Sequence, residues 1–443
     1  MRRIFSLRYS LLPLMLVLAV LTLLCSCKIG GGGSNDDDGT ARFRVLNAST
    51  GYTSLDVYSN DQDDDDDDDK QRASAVSYGQ ISEYVTLKAA TYTLDFRRAG
   101  AATSLLGMSS QAMAEDTNAT YVAYGSTGHF AVYKINDDQT EADSGKANVT
   151  VINVAEAGAL DVYFTEENIS LTDTSPQMSA ISSGSSYGAT LNSATYRMRV
   201  TGTGDNTDVR LDVSGITFSS TGVVSIILTP TSGGILVNAL QIPQQGSVTS
   251  YSNTKARLRA AVGIANGTKA TVSVGGTMLL SNATVGIIGS TYQQVTAGTL
   301  PVSVIVDGVA VSIPNKTVAA GADYTVLVWS NADGTQATLI SDDNRTPTVS
   351  GNTRVRLMNG MSATGSPISF TINFSPTADD VDVGEASAYS EIASGSDFEI
   401  DVKDSLTSSP LFSKTGVSLT AGAVYTMFMY NGATPTATLR RDR

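Results

Sequence analysis

The chain has 443 residues, 41% hydrophobic and only 16% charged, enough apolar material for several cores. It carries a formal charge of −14, two cysteines and one histidine. Without a basic cluster the composition excludes a nucleic-acid partner. A single histidine also leaves transition-metal sites and Ser-His or Cys-His catalysis poorly supplied.

Residues 1–26 read as an export signal. Arg2, Arg3 and Arg8 make a basic start, and "LLPLMLVLAVLTLL" (11–24) is an uncharged apolar run. It is shorter than the about 20 residues of a membrane span and fits a signal h-region. The two cysteines follow in Leu24-Cys25-Ser26-Cys27. That stretch resembles a bacterial lipobox, an aliphatic residue and two small ones before the cysteine that is acylated. Bulky Leu24 before Cys25 makes Cys25 a poor acceptor. The expectation is therefore a lipid on Cys27, with Cys25 removed in the signal. Two or more acyl chains anchor stably where one does not. Lys28 in place of an aspartate favours the outer membrane over inner-membrane retention.

"KIGGGGSNDDDGT" (28–40) completes a tether at 27–40. Its Gly/Ser composition makes a flexible coil of about 20 Å, about 45 Å at full stretch. After cleavage no cysteine is left for bridging, so each folded module must be held by its own apolar core.

One pattern then recurs four times. Opening strands are "ARFRVLNA" (41–48), "ANVTVINV" (147–154), "ARLRAAVG" (256–263) and "TRVRLMNG" (353–360). Each alternates apolar residues with Arg, Asn or Thr, the period of a half-buried strand. Second strands follow in "SLDVYS", "ALDVYF", "KATVSV" and "ISFTIN". Next comes a serine–tyrosine signal, Ser77-Tyr78-Gly79, Ser186-Tyr187-Gly188, Ser290-Thr291-Tyr292 and Ser387-Ala388-Tyr389. A further strand ("TYTLDF", "TYRMRV", "PVSVIV", "DFEIDV") and a late one ("TYVAYG", "VVSIILT", "DYTVLVW", "VYTMFMY") complete each copy. The repeat of about 90–110 residues is too long for a propeller blade or solenoid coil and fits a whole β-sandwich of roughly seven strands.

The predicted fold is all-β: tandem immunoglobulin-like antiparallel β-sandwiches, beads on a string, after the signal peptide and flexible tether. The modules are placed at 41–145, 146–250, 255–345 and 352–443, with "SVTSYSNT" and "DDNRTPTVSGN" as linkers. The alternative arrangement packs the sandwiches in pairs.

The run "ARFRVLNAS…SLDVY…SYG…ATYTLDF…ATYVAYG" resembles the bacterial family known as domain of unknown function 4397. The family pattern runs from an R-V-x-[HN]-A strand through D-V-Y and Y-G to a closing Y-T-V strand. Copies one and two match best. Copy three lacks D-V-Y and has Val262 where copy one has Asn47; copy four keeps Asn359 but replaces D-V-Y. The resemblance implies an immunoglobulin-like sandwich in secreted and lipid-anchored envelope proteins, and it brings no established activity.

Candidate chemistry is sparse. "GSSYG" (184–188) spells a nucleophile elbow around Ser186, but that device needs a strand-to-helix turn and a histidine later in the chain, whereas His129 lies upstream. The reading is a turn before a strand. The acidic run contains Asp63, Asp64, Asp65, Asp66, Asp67, Asp68 and Asp69. An EF-hand beginning at Asp63 would need glycine and glutamate where Asp68 and Ser74 stand. Adjacent like charges repel, so the expectation is a solvated loop, with weak, non-specific calcium binding as the alternative. The same connection holds Glu166, Glu167 and Asp173 in copy two and Asp379, Asp380, Asp382 and Glu385 in copy four, against apolar "TMLLSNATVGIIGS" in copy three. That suggests acidic poles on three modules and a stickier one on the third. Tyr58, Tyr78, Tyr92, Tyr163, Tyr187 and Tyr196 read as core and rim residues rather than a sugar-stacking platform.

The functional expectation is a non-enzymatic lipoprotein of the bacterial cell envelope, at the outer membrane, with no cofactor. Its role is structural, adhesive or ligand-binding, and its partner an envelope protein or glycan. The alternatives are a polysaccharide-binding accessory of an envelope machine and a serine hydrolase around Ser186. Calcium tests the acidic loop: a solvated run leaves the melting temperature of the full chain unchanged at millimolar calcium. A rise that disappears on replacing Asp63–Asp69 with serines establishes a specific site.

Overall fold

The computed structural model describes residues 39–61, 69–361 and 366–443. They contain strands and turns but no helix, and so no helix long and apolar enough to cross a membrane. In the first copy the strands are β1 (Thr40–Asn47), β2 (Ser54–Asp61), β3 (Lys70–Ser77), β4 (Val85–Lys88), β5 (Ala90–Arg98), β6 (Ser104–Met113), β7 (Asn118–Tyr124) and β8 (Ala131–Asn136). They form two sheets, β4-β1-β7-β8 and β3-β2-β5-β6. Phe43, Val45 and Tyr121 from one sheet meet Leu55, Val57, Leu94 and Phe96 from the other in a closed core.

The same two-sheet plan recurs around 146–251, 255–342 and 352–441, each with its own core. The late strand that the sequence pattern treats as closing is followed each time by one more, as Tyr121 is followed by β8. One pairing in each module departs from the antiparallel expectation. The opening strand lies parallel to the late strand, Arg44 beside Thr120 and Arg356 beside Thr426, because the chain crosses to the other sheet between them.

Two motif residues explain how these modules hold their shape. Asn47 is buried; its Nδ2 donates to the carbonyls of Tyr52 and Val76 and its Oδ1 accepts from the Ser49 amide. Asn153 repeats this with Gly158, Ile181 and Ala155. Asn359 does so with Val381 and Met361. Each amide closes the turn after the opening strand by satisfying backbone groups that burial cuts off from water. The aspartate of D-V-Y does a second job. Asp56 accepts from Ala75, which has φ +51° at a bulge in β3, and from Gly100. Asp161 accepts from Ala180 (φ +53°) and Gly204. The carboxylate offsets a backbone conformation that costs an alanine about 1–2 kcal/mol.

The modules are paired rather than strung. The opening strand alternates, as expected, but its second face is not solvated. Leu46 and Ala48 of copy one, with Val122 and Ile135, pack against Ile152, Val154, Ile227, Leu240 and Ile242 of copy two. Ala261, Ile288, Leu327 and Ile340 of copy three likewise meet Met358 and Phe428 of copy four. Each front sheet therefore buries both faces, one in its sandwich and one against its neighbour. The expected linkers are built in: Thr249–Tyr251 joins a sheet as its edge strand, and Asp343 accepts hydrogen bonds from Arg345 and Arg354.

Phe428→Ala deletes the largest apolar side chain of the second interface core, a change that costs about 3–5 kcal/mol at such sites. Calorimetry should show the unfolding of modules three and four moved down together while that of modules one and two stays in place.

Candidate functional site

The most elaborate polar arrangement lies inside these paired interfaces. On the opening strands, Arg44, Arg259 and Arg356 project to the interface side; the last two are each 1% exposed. A guanidinium removed from water needs a carboxylate and acceptors for its donors. Each arginine Nε donates to a hydroxyl on the parallel neighbour, Thr120 (2.8 Å), Thr325 (2.9 Å) or Thr426 (3.0 Å). Each threonine in turn donates to an aspartate at or just after the end of the module's last strand, Asp137 (2.5 Å), Asp342 (2.6 Å) or Asp442 (2.5 Å).

In modules three and four the partners are exchanged. Arg259 reaches Asp442 of module four at 2.5 Å, and Arg356 of module four pairs with Asp342 of module three. The guanidinium carbons of Arg259 and Arg356 lie 4.7 Å from the ring centres of Tyr292 and Tyr389. Tyr292 donates to Asp342 at 2.7 Å. Burial pushes the Asp342 carboxyl upward, yet Arg356 and Arg259 with the Thr325 and Tyr292 hydrogen bonds hold it below the usual carboxylate range. Burial first, and then the negative charges of Asp342 and Asp442, drive the Tyr292 and Tyr389 phenols up. Asp342 thus stays ionised and the Tyr292 and Tyr389 phenols neutral at neutral pH, which suits a clamp and not proton transfer.

The first pair has half of this device. Arg44 lies over Tyr84 at 4.6 Å, Tyr84 donates to Asp137, and Arg44 crosses the interface to the carbonyl of Gly246. Module two has Thr150 and Ser225 at the register positions of the arginine and threonine, so nothing returns the exchange. Gln244 of that module instead bonds the backbone of Gln139 in both directions.

These positions were visible in the sequence only as the polar side of the opening strand. Registry also separates what the serine–tyrosine signal grouped together. The residues facing the arginines are Tyr84, Tyr292 and Tyr389. Tyr78 bonds Thr229 of module two, and Tyr187 is half-exposed opposite Val151. The shared turn residue is a glycine, with φ from +75° to +86° at Gly79, Gly184, Gly286 and Gly384. Each donates its amide to the end of its opening strand, for example Gly79 to Asn47 and Gly384 to Asn359.

The other sequence candidates fall as follows. Cys27 and Asp63–Asp68 lie outside the described residues. Asp69 is described, half-exposed, and ion-pairs with Arg97. Among the described residues no group of three His, Cys, Asp or Glu side chains is placed to hold a metal ion. Ser186 shares a 2.8 Å hydrogen bond with Tyr133 on a strand, where the elbow motif would need a turn into a helix. His129 lines a shallow pocket with Tyr124, Glu156 and Ser183. Of the expected poles, Glu166, Glu167, Asp173, Asp379 and Asp380 are exposed, as are Met278 and Ile287 in module three.

A larger cleft of about 440 Å³ opens where modules one, two and three converge, lined by Thr50, Tyr78, Asn238, Ser252, Ala320 and Arg345 among others. Close by, the Arg443 guanidinium donates to the carbonyls of Gly234, Asn344 and Glu156. Burial lowers its pKa to about 10.

The model for "Domain of unknown function (DUF4397)" matches residues 41–163 and 256–366, more than half of the chain. The chain belongs to the DUF4397 family. Both matches begin at an arginine-bearing opening strand and run past the late strand, so each contains the arginine and threonine described above, Arg44 and Thr120 in the first and Arg259 and Thr325 in the second. No curated protein matches the DUF4397 chain. Among solved structures, the family-26 carbohydrate-binding module of Eubacterium rectale Amy13K, in complex with maltoheptaose, aligns at 12% identity. It covers 47% of this chain and 96% of its own, with a TM-score of 0.16. The Bacillus anthracis TIE protein aligns at 10% identity, covering 89% of this chain and 69% of its own, with a TM-score of 0.14. Scores this low carry no argument about fold or function.

Removing one partner of a buried ion pair costs about 3–5 kcal/mol, while replacing both with apolar residues is often neutral. Arg356→Met should therefore destabilise modules three and four strongly, and Arg356→Met combined with Asp342→Leu should recover much of that loss. A double-mutant cycle in urea measures it.

Proposed function

We propose that this chain is a lipid-anchored cell-envelope protein, held through Cys27, whose paired β-sandwiches serve as a non-enzymatic structural, adhesive or ligand-binding display. One observation carries the non-enzymatic part. The polar residues of the family pattern are consumed internally, Asn47 and Asp56 in turns and bulges, and Arg259, Arg356, Asp342 and Asp442 in the clamp between modules. A catalytic group must instead present a reactive atom in a cleft, near a base or acid of matched pKa. Ser186 has Tyr133 as its neighbour and no hydrogen bond to the His129 ring among the described residues, which weighs against the hydrolase alternative.

The anchoring part rests on the basic, apolar and small-residue succession of 1–27 and on the Gly/Asp-rich tether. Interlocked modules suit display, because packed pairs hold one another in register where loose beads would not. The outer membrane is the proposed site, the lipid its attachment, and an envelope protein or glycan its partner.

Radiolabelled palmitate incorporated into the wild type and absent from Cys27→Ser, with the wild type in the membrane fraction, supports the anchor. Label retained in Cys27→Ser, or a wild type that is soluble and unlabelled, rules it out. A fluorophosphonate adduct lost in Ser186→Ala would overturn the non-enzymatic assignment.

A further inference from the structure

Three modules contribute to the cleft between them, so none of them contains it alone. Module one supplies Thr50 and Tyr78, module two Asn238 and Ser252, module three Ala320, and the segment before module four Arg345. Its volume, about 440 Å³, lies within the range of small-molecule sites.

The lining has a definite chemistry. Tyr78 is half-buried, its hydroxyl 2.9 Å from Thr229 Oγ1 across the first interface, so its ring is held in place. Asn238 accepts from the Asn253 amide through Oδ1, and its Nδ2 donates to no described residue. The hydroxyls of Thr50 and Ser252 are likewise without a described partner and both residues are exposed. Arg345 grips Asp343 through Nε and Nη2, leaving its Nη1 edge unused. Asp343 also accepts from Arg354, so two guanidinium groups share one carboxylate and a modest positive bias remains.

We propose that this cleft binds a short saccharide segment. Hydroxyls, amides and one aromatic ring share the lining with Pro230 and Ala320, which matches a hydroxyl-rich ring and not a lipid tail. One partly neutralised arginine is too little for a polyphosphate, and it can meet either a sugar hydroxyl or a uronate carboxylate. Among the described residues no carboxylate lines the cleft itself, although the charge of Glu156 reaches Arg345 from outside it. The site deepens the ligand-binding branch of the display role and rests on it. It also gives the packing a purpose, since the site exists only while modules one, two and three stay together.

The test is isothermal titration of the detergent-solubilised full chain with cellohexaose, chitohexaose and hexagalacturonate. Saturable binding of at least one, with Kd in about the micromolar to millimolar range, is expected. Asn238→Asp keeps the acceptor for Asn253 but removes the Nδ2 donor, and should weaken binding at least about tenfold. Ser252→Trp fills the cleft from an exposed position without removing any described hydrogen bond, and should abolish binding at unchanged melting temperature. Arg345→Gln weakening hexagalacturonate alone assigns the arginine to a carboxylate; weakening the neutral sugars equally assigns it to hydroxyls. Absence of saturable binding by all three saccharides, or binding untouched by Ser252→Trp, overturns the proposal. Either result is independent of palmitate labelling, so the anchor and the cleft stand or fall separately.

Discussion

A guanidinium enclosed between two sheets cannot be left unanswered. Arg259 and Arg356 are almost wholly buried, and their removal from water is offset only because carboxylates and threonine hydroxyls arrive from both modules. The carboxylates lie on the far side of the interface, so each module satisfies a charge that belongs to its neighbour. Separation of the two modules would break the Arg259–Asp442 and Arg356–Asp342 contacts and leave each charge only its weaker partners within its own module. This exchange, more than the apolar contact beside it, specifies which face of one sandwich meets which face of the next.

The first pair shows what the exchange adds. There the apolar contact is more extensive, with isoleucine, leucine and valine from both modules, while the clamp is one-sided because Thr150 and Ser225 replace the arginine and threonine. Arg44 meets a backbone carbonyl across the interface in place of a carboxylate. The two pairs thus combine hydrophobic contact and directed polar contact in different proportions. Hydrophobic area is nondirectional; the ion pairs set orientation, which fits the smaller apolar core of the second interface.

The conspicuous residues of this family therefore have architectural work. The asparagine secures a turn, the D-V-Y aspartate a bulge, the arginine a neighbouring module. Their chemistry is directed inward, and the surfaces left for recognition are those created between modules. A ligand held there would depend on the assembly and not on any single repeat, which is a reason for a chain to carry several copies in fixed contact.

The alternation of Phe43, Val45, Leu258 and Leu357 made strands legible, and the recurrence of that pattern made four sandwiches legible, because inward and outward positions differ by one residue along a strand. The same alternation misled about the other face. Arg44, Thr120 and their equivalents look like solvent-facing residues, since polarity in a sequence does not say whether water or another protein layer answers it. Tyr84 could not be told from Tyr78 as the partner of Arg44, because cross-strand registry depends on turns and bulges such as that at Ala75. By itself, then, the sequence determined the repeat and the strand faces, both local properties of spacing and composition. Only the tertiary structure decided the pairing of modules, the exchanged ion pairs and the three-module cleft. Those contacts join residues on different modules, 14 positions apart for Arg356 and Asp342 and 183 for Arg259 and Asp442, and spacing along the chain holds no trace of which partner will satisfy a buried charge.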